Sequence, residues 1–141
     1  MNSVATSLSA VNAPSKGAIW TGRVITTLVV LFLAFDGITK VIKDPHVLSA
    51  MADLVFPVST IVAIGTVLLV CTLLYAIPQT SVLGAILLTA HLGGAVAVQV
   101  RVGHPLFESS FPIIFGVLVW LGVYLREPRL RALVPLRTQS N

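Results

Sequence analysis

The chain has 141 residues, of which 56% are hydrophobic and 10% charged, with nine basic and five acidic side chains and a net charge of +4. A soluble domain carries about 25% charged residues, so this set cannot clothe a water-soluble globule of this size, and mean hydropathy is high at +0.98. The composition excludes an ordinary cytosolic enzyme, a disordered chain and a nucleic-acid binder.

Residues 1–17 are rich in Ser, Ala and Asn and read as a flexible cytoplasmic tail. A secretory signal has a short apolar core before a small-residue cleavage site. The run that starts at Ala18 is instead long enough to span, and reads as a retained helix over residues 19–42. Arg23 can snorkel from its first turns, and Asp36 and Lys40 fall in its last third. Residues 43–57 predict a short interfacial helix. Asp44-Pro45 supplies an N-cap and first position, and Val47, Leu48, Met51, Leu54 and Val55 recur at helical spacing.

Residues 54–100 contain no Asp, Glu, Lys or Arg. This is too long for one crossing and suits two, broken at Ile77-Pro78-Gln79-Thr80, with Thr80 or Ser81 placed to cap the next helix. The second span is residues 58–77 and the third 81–102. After Arg101, Gly103, His104 and Pro105, a fourth span starts at Phe107 or Phe111 and ends at Leu125. Pro112 suits its first turn, and Trp120 and Tyr124 are placed as interfacial anchors. Residues 127–141 form a basic cytoplasmic tail.

The fold class is therefore all-α: a polytopic membrane protein with a four-helix up-down-up-down transmembrane domain over residues 18–126. Ala85, Thr89, Gly93 and Ala97 make a small-residue stripe that predicts span three in the packed interior. Lys16, Arg23, Arg126, Arg129, Arg131 and Arg137 share one side, against Lys40, Lys43 and Arg101 on the other, which predicts both termini in the cytoplasm.

Asp36 is the most informative residue. It lies about 9 Å inside its helix end at 1.5 Å per residue, and a lone charge at a span's centre costs about 2.5–3.5 kcal/mol on insertion scales. Lys40, one turn on, can pair with it, so Asp36 reads either as a ligand-facing carboxylate or as half of a helix-end ion pair. His91 sits near mid-membrane and reads as a proton relay, a quinone hydrogen-bond donor, or a neutral imidazole bonded to a neighbouring helix. Haem does not fit, because His46 and His104 fall in connections. Arg101 and Glu108 bracket the third connection and can pair across it, near Gln99. Together with Asp36, Lys40 and His91 they make a candidate polar pocket. The lone cysteine, Cys71, excludes an internal disulfide, a Cys-x-x-Cys pair and thiolate-held metals, and the chain carries no phosphate loop, His-Glu-x-x-His or serine elbow. No metal and no resident cofactor is expected, with a quinone left open.

The order and spacing of several pieces resemble the DoxX-like family of small four-helix bacterial membrane proteins. They are Phe35-Asp36-Gly37 with Lys40, the run from Pro78 to Gly84, Leu87-Leu88-Thr89, Gly93-Gly94-Ala95, Arg101-Val102-Gly103, Pro105-Leu106-Phe107, Trp120, and Leu125-Arg126. The resemblance implies a bacterial inner-membrane protein tied to membrane oxidoreductase systems, among them a thiosulfate:quinone oxidoreductase and a superoxide-defence assembly. It carries over Asp36, Lys40 and Arg101 without an assigned role. Gln79 stands where the family pattern has Arg, Gln99 where a histidine is frequent, and His91 where Tyr is common.

Three functions remain open at this point. The first is an accessory or membrane-anchor subunit of a quinone-linked redox system, not an enzyme on its own. The second is a small proton-coupled transporter, disfavoured because Asp36 is off-centre and paired. The third is a structural or partner-binding membrane protein. The partners expected are the lipid bilayer and a membrane or redox protein, with a homo-oligomer left open and nucleic acid excluded.

Overall fold

A computed structural model describes residues 14–133. Most of the first tail, and residues 134–141 with Arg137, lie outside the described residues. The regular structure within them is helical throughout: α1 Lys16–Val41, α2 Pro45–Asp53, α3 Val58–Ala76, α4 Ser81–Arg101, α5 Leu106–Arg126 and α6 Pro128–Leu133, with a 3₁₀ turn Pro78–Thr80 between α3 and α4. Four of these helices are long and apolar enough to cross a membrane, as the hydropathy predicts: α1, α3, α4 with its preceding turn, and α5.

The helix ends follow from local chemistry. Ser15 caps α1 by accepting from the Ala18 amide at 3.1 Å, and Asp44 caps α2 by accepting from the His46 amide at 2.9 Å, satisfying donors that the helix leaves free. At their far ends α1, α2 and α4 close alike, with paired backbone bonds such as Asp44 N–H to Thr39 C=O, Phe56 N–H to Met51 C=O and His104 N–H to Gln99 C=O. That closure needs a left-handed residue. Gly103 supplies it for α4, but α1 uses Lys43 at φ 56° and α2 uses Val55 at φ 62°. A β-branched residue there is a genuine outlier.

Two terminal signals resolve differently from the sequence reading. Thr80 does not cap α4. The turn is so tight that its hydroxyl lies under the free carbonyls of α3 and donates to Leu74 O at 2.7 Å. Pro105 starts α5 directly, so Pro112 falls inside the helix rather than in its first turn. Residues 128–133, read as tail, carry α6. Leu130 is buried in the core, and Arg131 donates to the Tyr124 and Leu125 carbonyls at 2.8 and 3.1 Å, covering the end of α5.

α1 packs against α3 and α5, and α4 packs against the same two helices. The four spans thus form a closed square in which sequence neighbours touch. Large side chains such as Leu28, Phe35, Leu73 and Val117 face outward, more than half of each exposed. In water such a continuous apolar surface would aggregate; in lipid it is solvated, and attraction between helices then comes from close packing and hydrogen bonds. Tyr75 fills the centre at the end that carries both chain termini. It is fully buried, and its hydroxyl donates to Val119 O on α5 at 2.9 Å.

The stripe expected to pack α4 does not do so as a unit. Ala85 is buried, but Thr89, Gly93 and Ala97 are exposed, and a Cβ on Gly93 would meet nothing within 4 Å. The packed face is Ser81, Gly84, Ala85, Leu88 and Leu92. At 3.6 residues per turn, steps of four drift about 40° each, so the stripe winds off the contact line within three steps. Trp120 is also not a free interfacial anchor: its indole N–H donates to Thr89 Oγ1 at 2.7 Å and ties α5 to α4.

Candidate functional site

Among the described residues Tyr75 is the one fully buried aromatic, and opposite its end of the bundle a cavity of about 550 Å³ opens between α1, α3 and α4. This is the size range of small-molecule sites. Leu33, Ile64, Leu68 and Leu92 form apolar walls, and Met51, Leu54 and Phe56 close over it from α2 and the following turn. The polar lining is sparse: Asp36, Lys40, Thr60, His91 and Gln99.

Helix geometry brings the charged pair there. Asp36 and Lys40 are one turn apart on α1, and Lys40 Nζ donates to Asp36 Oδ1 at 2.5 Å. The α1–α3 contact beside them is close because glycines meet there. A Cβ on Gly65 would come within 2.7 Å of Lys40 Cβ and 2.9 Å of the Gly37 carbonyl, so a side chain at residue 65 would push out the Lys40 stem. The Lys40 side chain is only 12% exposed, while Asp36 keeps 39%. The ammonium is the more enclosed partner, and the carboxylate is the more exposed.

His91 lines the cavity from α4, and among the described residues no hydrogen bond holds its ring to a neighbouring helix. Gln99, two turns further on, also lines it; its Oε1 is buried without a hydrogen-bond partner among the described residues. Of the five residues grouped from the sequence, the structure brings Asp36, Lys40 and His91 together around this cavity. It leaves out Arg101, which is exposed at the end of α4, and Glu108. Glu108 does not reach across to Arg101. Its Oε2 lies 2.6 Å from His104 Nδ1, because Pro105 starts α5 at once and seats His104 over that helix's first turn. Among the described residues no cluster of three or more His, Cys, Asp or Glu could hold a metal ion.

The sequence places Gln99 beside Arg101 and at a position where the family often has histidine, but does not group it with the pocket, and it does not mark Met51, Phe56 or Thr60 as lining. A signal for Gln99 was present. It is an amide inside a run without charges, eight residues after His91, which at 100° per residue lands within about 80° of the same helix face.

A ring of four membrane-spanning helices around a half-filled centre defines an all-α, multi-pass integral membrane protein. The sequence matches the DoxX-like family over residues 24–122, and the chain belongs to that family. No curated protein and no solved structure matches it.

Proposed function

We propose that this DoxX-like protein is an accessory membrane subunit of a quinone-linked redox system, and that the α1–α3–α4 cavity receives the quinone head group. The observation that carries this reading is the cavity's composition: apolar walls and roof, few polar groups, and a charge pair that is neutral as a whole. Such a lining suits an uncharged, hydrogen-bonding head on a lipid-soluble body. The residues present fit that group, since the Gln99 amide NH₂, the His91 ring N–H and the spare Lys40 protons line the cavity as donors to a carbonyl oxygen. A proton-coupled exporter needs a carboxylate free to load and unload, and Asp36 is already tied to Lys40.

Short-chain quinones should raise the thermal unfolding midpoint of the detergent-purified protein by several degrees, and Asp36→Asn, which takes away the ion pair that positions Lys40 as a donor, should remove that shift. Absence of a shift with every ubiquinone, menaquinone and naphthoquinone analogue tried would sink the reading.

The same proposal places the protein in the bacterial inner membrane with both termini in the cytoplasm, on the imbalance of basic residues between the two sides. Lys16, Arg23, Arg126, Arg129 and Arg131 stand at the terminal end, against Lys40, Lys43 and Arg101 at the other. A green fluorescent protein fused at the C-terminus should fluoresce, and alkaline phosphatase at the same point should be inactive. The reverse pattern overturns this orientation.

A further inference from the structure

Of the cavity-lining residues, Gln99 is the one with a buried side-chain atom that has no hydrogen-bond partner among the described residues. That atom is its amide oxygen, buried at the cavity and with no donor among the described residues. A buried acceptor left bare is costly and uncommon in folded proteins, so a site that keeps one is built for a donor that arrives from outside. Two other cavity groups, Asp36 and His91, also offer acceptors, beside the donors of Lys40 and Thr60. A carboxylate only accepts hydrogen bonds, and Lys40 engages just one oxygen of Asp36. A neutral His91 ring carries one acceptor nitrogen beside its one N–H.

A quinone carbonyl cannot answer any of these acceptors, because it has no proton to donate. A hydroxyl can donate to Gln99 Oε1 or to Asp36 and still accept from Lys40 or His91. It also suits either rotation of the Gln99 amide, whereas a carbonyl suits only the one that presents the NH₂.

Resting on the quinone-linked reading, we infer that the cavity selects the reduced, hydroxyl-bearing quinol over the oxidised quinone, and that Gln99 is the residue that makes the distinction. No electron moves in this step: the site holds one redox form of the carrier in preference to the other. The apolar walls at Leu33, Leu68 and Leu92 serve both forms alike and contribute nothing to the choice.

The test uses the full chain in phosphatidylcholine nanodiscs under anaerobic conditions, with a decyl-substituted ubiquinone and its borohydride-reduced quinol as probes, followed by calorimetric titration. The wild-type protein should bind the quinol about tenfold more tightly, the effect of one buried acceptor gaining or lacking its donor. In Gln99→Leu the two forms should bind alike, and the ligand-free unfolding midpoint should hold or rise, because an unpartnered polar atom is removed; a glutamine with a purely structural role would instead lower it. Equal affinities in the wild type, tighter quinone binding, or a preference that survives in Gln99→Leu overturns the inference. The wild-type comparison decides even if the variant does not fold. Binding of the quinone with no preference leaves the proposed function standing and removes only the selectivity; failure of both forms to bind removes both.

Discussion

Gly84→Ala should destabilise the bundle by about 3 kcal/mol or more, while Gly93→Ala on the same helix should change stability by less than about 1 kcal/mol. The two substitutions add the same methyl group. At residue 84 it is driven into the backbone of α3, against the N and Cα of Tyr75 and within 2.7 Å of the Leu74 carbonyl carbon. Backbone cannot rotate out of the way as a side-chain tip can. Nor can α3 slide past α4, since only the turn Pro78–Thr80 and one flanking residue join them. The helices must therefore separate, and separation draws Tyr75 away from Val119 O, the bond that holds α3 to α5 through the centre. At residue 93 the added methyl meets nothing. Reversible unfolding in mixed dodecylmaltoside–SDS micelles, followed by far-UV circular dichroism, measures both. Equal midpoints for the two variants would refute this account of how α3 and α4 hold together.

That contrast also shows what was legible in the sequence and why. The four spans are readable because lipid imposes one strong rule: about 20 apolar residues for each crossing, with every backbone group bonded inside the helix. α2 is readable because Asp44-Pro45 and its apolar spacing are local signals. The rotation of each helix is not readable, because an apolar side chain is equally at home against lipid or against another helix. Hydrophobicity, which orients helices in soluble proteins, carries no orienting information here. The small-residue stripe was the substitute signal, and it failed beyond Ala85 because four-residue spacing does not follow a straight line on a helix. Gly84, one residue off that stripe, makes the close approach instead. The same blindness to rotation explains the site. Asp36 and Lys40 were legible as a pair because one turn fixes their spacing, whatever the helix faces. Whether His91, Gln99, Arg101 or Glu108 shared a cavity with them depended on rotations that only the packed bundle determines, and α6 owes its position to tertiary contacts of Leu130 and Arg131.

The charge pair gives the second large effect. Asp36→Leu or Lys40→Leu alone should destabilise the protein by about 3 kcal/mol, and the double variant should recover most of that loss. A single substitution leaves one full charge inside the membrane domain with its counter-ion gone, and the cost of a lone charge there is of the order of 2.5–3.5 kcal/mol. Removing both partners leaves two apolar side chains beside walls that are already apolar. The two singles should not be equal. Lys40 is the more enclosed of the pair at 12% exposure, against 39% for Asp36. Asp36→Leu, which strands the enclosed ammonium, should therefore cost more than Lys40→Leu, which strands the more exposed carboxylate. Long stems can partly relieve a stranded lysine by reaching for the interface, but the Lys40 stem is wedged against Gly65, which restricts that escape. A double-mutant cycle in the same mixed micelles reads the coupling directly. Additive losses, with the double variant as unstable as the sum of the singles, would mean that the two residues act apart, and the pair could then not be what makes a charge tolerable on this face of α1.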